Sequence, residues 1–302
     1  MTEALRTNTR ALMSNSPRPA GISGLSEIAG NYTSILCDIW GVVHNGLSAY
    51  RPAVDALARF RASGGRVLLI TNAPRPKEVI AGQLDGLGVE RAAYDDIVTS
   101  GEVARDFLAK RPEARIFHLG PERDRPIYAG LSNVLVDQDA ADLISCTGLF
   151  DDNRESPDDY VERLTLLAGR GLPMLCANPD KVVERGDRLV WCAGALAERY
   201  AALGGETIIV GKPHAPIYGV ALDRLGEILG RPVATSEVLA IGDSVSTDIR
   251  GAFDQGIDVL FITDGIHTAE FGRRDAPDPA AVHRLLADAG LGARNFAVRL
   301  AW

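Results

Sequence analysis

Short apolar runs that break on a polar residue or a glycine recur along this chain, and stretches with apolar residues at helical spacing separate them. The clearest run is Ile35-Leu36-Cys37, which delivers Asp38 and then passes through Ile39-Trp40 to Gly41. A run of this length bounded by turn residues reads as a buried strand of a parallel sheet. The segment 51–61 follows, with Val54, Leu57, Ala58 and Arg61 spaced for one helix face and Pro52 in the first turn, where proline is tolerated. Gly64-Gly65 ends that helix, and 66–70 is the next strand.

The alternation continues. The pattern predicts helices over 76–87, 101–110, 157–167, 193–203, 215–229, 247–255 and 279–287. Strands are predicted at 97–100, 115–119, 143–146, 173–177, 189–191, 208–210, 238–241 and, as the last clear one, 258–263. Ser100 is read as the cap of the helix that follows it, and the apolar end 296–302 as a segment packed on the core. Repeated strand, turn and helix means an α/β fold with a doubly wound, Rossmann-like parallel sheet.

Open sheets of this kind hold ligands at the carboxyl ends of their strands. Four runs end there in chemistry-bearing residues: Asp38; Thr71-Asn72 after 66–70; Lys212 in Gly211-Lys212-Pro213; and Asp243 with Asp248 in Gly242-Asp243-Ser244-Val245-Ser246-Thr247-Asp248. Together they offer carboxylates, a hydroxyl, an amide and an ammonium. Each also has a bland reading: Asp38, Asp248 and the Thr71-Asn72 pair as turn formers or helix caps, Lys212 as a surface lysine.

In order and spacing the four motifs resemble the haloacid dehalogenase superfamily. Asp38-x-x-Gly41-Val42-x-x-x-Gly46, Thr71-Asn72, Asn178-Pro179-Asp180 and Gly211-Lys212-Pro213 with Tyr218 are similar to its class IIA branch, which includes p-nitrophenyl, sugar, nucleotide and pyridoxal phosphate phosphatases. The resemblance spans about residues 34–265. It implies Asp38 as a nucleophile forming an aspartyl-phosphate, Thr71, Asn72 and Lys212 as phosphate-binding groups, and Asp38, the backbone carbonyl of Trp40, Asp243 and Asp248 as the metal site. Carboxylates crowded beside a phosphate need a hard divalent cation, for which Mg²⁺ is the expectation. The resemblance also implies a core of residues 25–100 and 206–302, with a cap domain at 101–205 that sets specificity; Asp180 and Arg154 are its candidate contacts. A homodimer formed through the cap is a further expectation.

One position departs from the family pattern. Superfamily phosphatases carry a second Asp two residues after the nucleophile, as acid and base, and here Trp40 stands there. Loss of such a group costs about 10² to 10⁴ in rate. His44, on the same loop, is the nearest replacement.

Composition narrows the classes. The chain has 302 residues, 46% of them apolar, and a formal net charge of -8, which favours neither nucleic acid nor an anionic membrane surface. No apolar run nears the roughly 20 residues of a membrane span. Residues 1–24 read as a flexible tail, and the arginines within them leave an organelle transit peptide as the alternative. Cys37, Cys146, Cys176 and Cys192 lack Cys-x-x-Cys spacing and read as reduced core residues of a cytoplasmic protein. The chain carries no Walker A motif, no dinucleotide fingerprint and no zinc-ligand spacing. The expected activity is a Mg²⁺-dependent phosphatase acting on a small phosphorylated metabolite, with sugar phosphates slightly favoured. The alternative is a binding or regulatory protein that keeps phosphate and metal affinity without hydrolysis.

Overall fold

The computed structural model describes residues 18–185 and 188–302. Its larger sheet has seven strands: β1 (Ala20–Gly21), β2 (Ser34–Asp38), β3 (Arg66–Thr71), β4 (Asp96–Thr99), β12 (Val238–Gly242), β13 (Asp258–Ile262) and β16 (Asn295–Ala297), in the order β1-β16-β13-β12-β2-β3-β4. The pairs β2/β12, β12/β13, β13/β16 and β16/β1 are all parallel. The register sets Ile241 opposite Cys37, so the residues after β2 and β12 emerge side by side at the carboxyl edge. Every residue of these two strands is buried, as the unbroken apolar runs require of strands covered on both faces.

A second sheet has the order β11-β8-β7-β5-β6, built from β5 (Arg115–Leu119), β6 (Val134–Leu135), β7 (Leu143–Cys146), β8 (Met174–Cys176) and β11 (Thr207–Ile209), every pair parallel. Its core gathers Leu119, Ile144, Leu164, Met174, Leu196 and Tyr200. Burying each such side chain contributes about 1.5–3 kcal/mol. The strands β9 (Val182–Arg185) and β10 (Arg188–Trp191) form a separate antiparallel pair, as do β14 (Gly272–Arg273) and β15 (Ala276–Pro277).

By packing, the chain divides into two compact units. The first holds the described residues up to Leu69 with Val89–Asp96 and Leu222–Trp302; the second holds Ile70–Gly88 and Ile97–Ala221. Residues 70–88, 97–100 and 206–221 therefore group with the second unit, whereas the motif reading counts them with the core.

The helices match the apolar spacing. They are α1 (Arg51–Ala62), α2 (Lys77–Leu87), α3 (Ser100–Ala109), α4 (Val161–Gly169), α5 (Ala193–Ala202), α6 (Ala215–Leu229), α7 (Arg250–Asp254) and α8 (Pro279–Asp288). On α1, Val54, Leu57 and Phe60 are buried, and Arg61 at the edge of that face grips Asp95 through two hydrogen bonds of 2.9 and 2.7 Å. Among the described residues no helix is long and apolar enough to cross a membrane.

Several details correct the sequence reading. Thr99, not Ser100, caps α3: its hydroxyl accepts the Glu102 N–H at 3.0 Å, and Glu102 answers the Thr99 N–H at 3.1 Å. A capping box needs Ser or Thr with Glu three residues on, and Thr99-x-x-Glu102 is that pattern. The apolar end supplies a full strand, β16, between β13 and β1. The expected tail lies outside the described residues as far as residue 17; Ala20 and Gly21 are paired in the sheet. The helix expected over 247–255 begins as a π-helical turn, Val245–Ile249, before α7. Trp191 is 42% exposed, whereas Tyr160 is buried. All four cysteines are buried and free.

Candidate active site

The first unit carries an acidic group. Asp38 ends β2, Asp243 follows β12, and Asp248 sits in the π-helical turn, a distortion often found at functional sites. All three are buried. Each offers a carboxylate oxygen within 4.8 Å of the others.

The backbone around them is shaped to the carboxylates. The Ile266 N–H donates to Asp243 Oδ2 and the Ser244 N–H to Asp248 Oδ2, both at 3.1 Å. Gly41 has φ of +86°, and a Cβ there would lie 2.3 Å from Asp243 Oδ2, so this position requires glycine for both conformation and space. Burying like charges this closely is unfavourable without a compensating cation. Clustered hard oxygen donors are the set that hard divalent cations take, so Asp38, Asp243 and Asp248 fit the expected metal. The carbonyl of Trp40 lies two residues beyond Asp38 on the same loop.

Trp40 and His44 are bridged through their backbones on that loop, and their rings meet edge to face with centroids 4.9 Å apart. His44 is buried, and its Nδ1 accepts the Gly46 N–H at 2.9 Å. A neutral ring that accepts at Nδ1 carries its proton on Nε2.

The second unit carries the remaining candidates. Thr71 and Asn72, at the end of β3, and Lys212, after β11, are all buried. Asn72 was expected to meet phosphate through its amide. Instead Oδ1 accepts the Lys212 N–H at 2.7 Å, while Nδ2 donates to the Lys212 carbonyl at 3.1 Å and to Asp180 Oδ1 at 2.9 Å. Its side chain is taken up in holding the lysine loop, because a carboxamide can pair with both the N–H and the carbonyl of one residue and still spare a donor. Asp180 is thus the partner of Asn72 Nδ2 through one of its carboxylate oxygens. Thr71 Oγ1 accepts the Ala73 N–H at 3.2 Å, and the O–H can still be donated elsewhere.

Gly211 completes the second group. Its φ is +101°, and a Cβ would fall 2.6 Å from Asn72 Oδ1 and 2.8 Å from Ser100 Oγ. Ser100, freed from capping, donates toward the carbonyls of Ala177 and Val210 and so joins two strand ends. Tyr218 is buried. Arg154 is exposed and pairs with Asp151 at 3.6 Å, a solvated loop contact. The sequence reading missed the 263–266 turn that supports Asp243; its signal was present, since Thr263-Asp264-Gly265 follows an apolar run as the other motifs do.

Comparison with known proteins decides the family. A model described as haloacid dehalogenase-like hydrolase matches residues 35–131, and a HAD-hydrolase-like model matches 209–289. A solved hydrolase of the haloacid dehalogenase-like family from Brucella suis 1330 is 46% identical, with a TM-score of 0.84, covering 92% of this chain and 99% of that one. The chain belongs to the haloacid dehalogenase-like hydrolases. Within that family it is of the class IIA type. This hydrolase is also similar to the D-glycerol 3-phosphate phosphatase of Mycobacterium tuberculosis, 28% identical over 262 residues, 81% of this chain and 67% of the relative. A solved glycerol phosphate phosphatase of M. tuberculosis in complex with calcium has a TM-score of 0.60 and 25% identity, covering 79% of this chain and 68% of that one.

Proposed function

We propose that this hydrolase is a Mg²⁺-dependent phosphoric monoester hydrolase acting on a small phosphorylated metabolite through an aspartyl-phosphate at Asp38. The carrying observation is the buried triad of Asp38, Asp243 and Asp248, whose oxygens lie within 4.8 Å of one another at adjacent strand ends. Similarity to a glycerol 3-phosphate phosphatase supports the substrate class, and the calcium complex of a relative supports a divalent metal. The cation, held by Asp38, Asp243, Asp248 and the Trp40 carbonyl, would supply charge neutralisation for the phosphoryl oxygens.

In this reading an Asp38 carboxylate oxygen attacks phosphorus, the bond to the ester oxygen breaks, and that oxygen takes a proton from solvent water, which recovers one when the attacking water of the second step is deprotonated. Water then attacks phosphorus, the bond to Asp38 breaks, and inorganic phosphate departs as the carboxylate is restored. Lys212 gives the phosphoryl oxygens a compact positive charge and Thr71 a hydroxyl donor, while Asn72 keeps the lysine loop in place. Residues 101–205 form the cap. The buried, free cysteines suit a reducing compartment such as the cytoplasm.

Trp40 removes the usual proton shuttle. The hydrogen bond from Gly46 leaves a neutral His44 with its N–H at Nε2, able to donate a hydrogen bond to the leaving oxygen but not to take a proton from water. Esters with leaving groups of low pKa need that help least, and sugar phosphates are slightly favoured among metabolites. Trp40 also favours a second reading, a phosphate-binding protein that does not turn over. Steady hydrolysis of p-nitrophenyl phosphate that needs Mg²⁺ and disappears in Asp38→Asn supports the enzyme; metal-dependent binding without turnover supports the second reading.

A further inference from the structure

Asp264 is a buried carboxylate of the first unit that lies outside the acidic triad. It follows β13, and its side chain is 2% exposed. Arg274, from the turn between β14 and β15, donates from Nε to Oδ1; Arg299, from the segment after β16, donates from Nε to Oδ2. Both arginine side chains are more than half exposed, at 64% and 58%. Two separate parts of the chain thus close on one carboxylate. All three residues belong to the same compact unit as Asp38, Asp243 and Asp248.

What Asp264 anchors is the turn that lies against Asp243. The next two residues reach that carboxylate. The Ile266 N–H donates to Asp243 Oδ2 at 3.1 Å, and a Cβ on Gly265 would stand 2.5 Å from the Asp243 Cβ and nearer still to Oδ2. One residue on, His267 Nε2 accepts the Val245 N–H at 3.3 Å, where the π-helical turn that carries Asp248 begins. The 264–267 turn therefore sets one carboxylate directly and holds the start of the turn that bears a second. Its backbone is tied at Asp264, whose N–H donates to the Val298 carbonyl at 2.9 Å; the two arginines add side-chain ties from two directions.

Stability alone is a weak reason for this arrangement. A buried carboxylate with its cations is often no more stabilising than an apolar contact of similar volume. Geometry is a stronger reason, because each oxygen is directed to a different segment and the turn cannot swing away from Asp243 without breaking an ion pair. Groups that orient a metal-binding carboxylate raise its affinity without touching the metal.

We propose that Arg274 and Arg299, acting through Asp264, are positioning residues for Asp243 that preset its carboxylate for the divalent cation. This rests on the reading of the acidic triad as a Mg²⁺ site. Direct electrostatics works the other way: a positive charge beside the turn repels a cation, so removing it would by itself tighten binding. The clamp requires looser binding when either arginine is lost, and the sign of the change separates the two effects.

The test is calorimetric titration with Mg²⁺ alone, together with hydrogen exchange at the Ile266 amide followed by NMR in the metal-free protein. Arg274→Gln and Arg299→Gln should each weaken Mg²⁺ binding about tenfold and speed exchange at Ile266. Both side chains are exposed enough to be changed without opening the core; Asp264→Asn should give the same two effects from the buried side. Arg299→Lys, which keeps the charge and loses the fork, should retain part of the affinity. Arg273→Gln removes the same charge from the neighbouring residue, whose partner Asp275 is exposed, and should neither weaken Mg²⁺ nor speed the exchange. Unchanged or tighter Mg²⁺ binding in the two arginine-to-glutamine variants, or exchange at Ile266 as slow as in the wild type, overturns the proposal. A wild type that binds no Mg²⁺ removes the metal reading instead, and exchange at Ile266 then decides by itself whether the clamp holds the turn against Asp243.

Discussion

Asn72 and Lys212 are locked together by a two-way hydrogen bond, with Asn72 Oδ1 accepting the lysine N–H at 2.7 Å and Nδ2 donating to its carbonyl at 3.1 Å. Both residues are buried, so the pair has no water to fall back on. Asn72→Ala removes the side chain that pairs with both the Lys212 N–H and the Lys212 carbonyl, and takes a donor from Asp180. The expected cost is about 2–4 kcal/mol of stability, with a rise in KM for phosphate esters as the ammonium loses its position. Urea unfolding and steady-state kinetics on the same variant check both effects.

Gly41 bears on the other group. A methyl at this position would stand 2.3 Å from Asp243 Oδ2 on a backbone at φ of +86°. Gly41→Ala should move the Asp243 carboxylate and weaken metal binding at least tenfold, besides a strain cost of about 1–2 kcal/mol. Titration with Mg²⁺, followed by the gain in thermal stability, reads the first effect directly.

Much of the fold could be read from residue order because buried parallel strands leave continuous apolar runs, and those ending at Asp38, Thr71 and Asp243 are of that kind. The short strand Asn295–Ala297 could not, since three residues carry too little pattern to be told from a packed tail. The site residues were legible as chemical types, but the partners of Asn72 were not. An amide after a strand reads the same whether it faces a ligand or a peptide 140 positions later. Ser100 misled for a related reason: two hydroxyl residues adjoin the start of α3, and only Thr99 has a glutamate three residues on.

Asp124 predicts a pH dependence. Burial pushes its carboxyl up from 3.8 to about 6, against the opposing pull of Arg75 and Arg123. The folded state therefore holds the proton more tightly than the unfolded chain. The resulting stabilisation is complete below pH about 4 and is lost as pH rises through about 6, on the order of 3 kcal/mol in all. Urea unfolding at intervals between pH 4 and 7 should show this decline superimposed on the other titrations, and Asp124→Asn should remove it. An unchanged slope in the variant would mean that Asp124 titrates as it does in the unfolded chain.

His44 should matter through its proton. With Nδ1 engaged by Gly46, His44→Gln can keep an acceptor for that N–H but loses the ring N–H on the opposite side. Turnover of an alkyl phosphate should fall by about tenfold or more, while p-nitrophenyl phosphate, with its better leaving group, should be affected much less. Equal losses on both substrates would assign His44 to holding the loop alone.

The most direct measurement is p-nitrophenyl phosphate hydrolysis by the wild type and Asp38→Asn, with and without Mg²⁺, following both the first turnover and the steady state. The account predicts steady release of nitrophenol that requires Mg²⁺ and is abolished in Asp38→Asn. Turnover that persists in Asp38→Asn, or no turnover by the wild type alongside intact Mg²⁺-dependent phosphate binding, would contradict it.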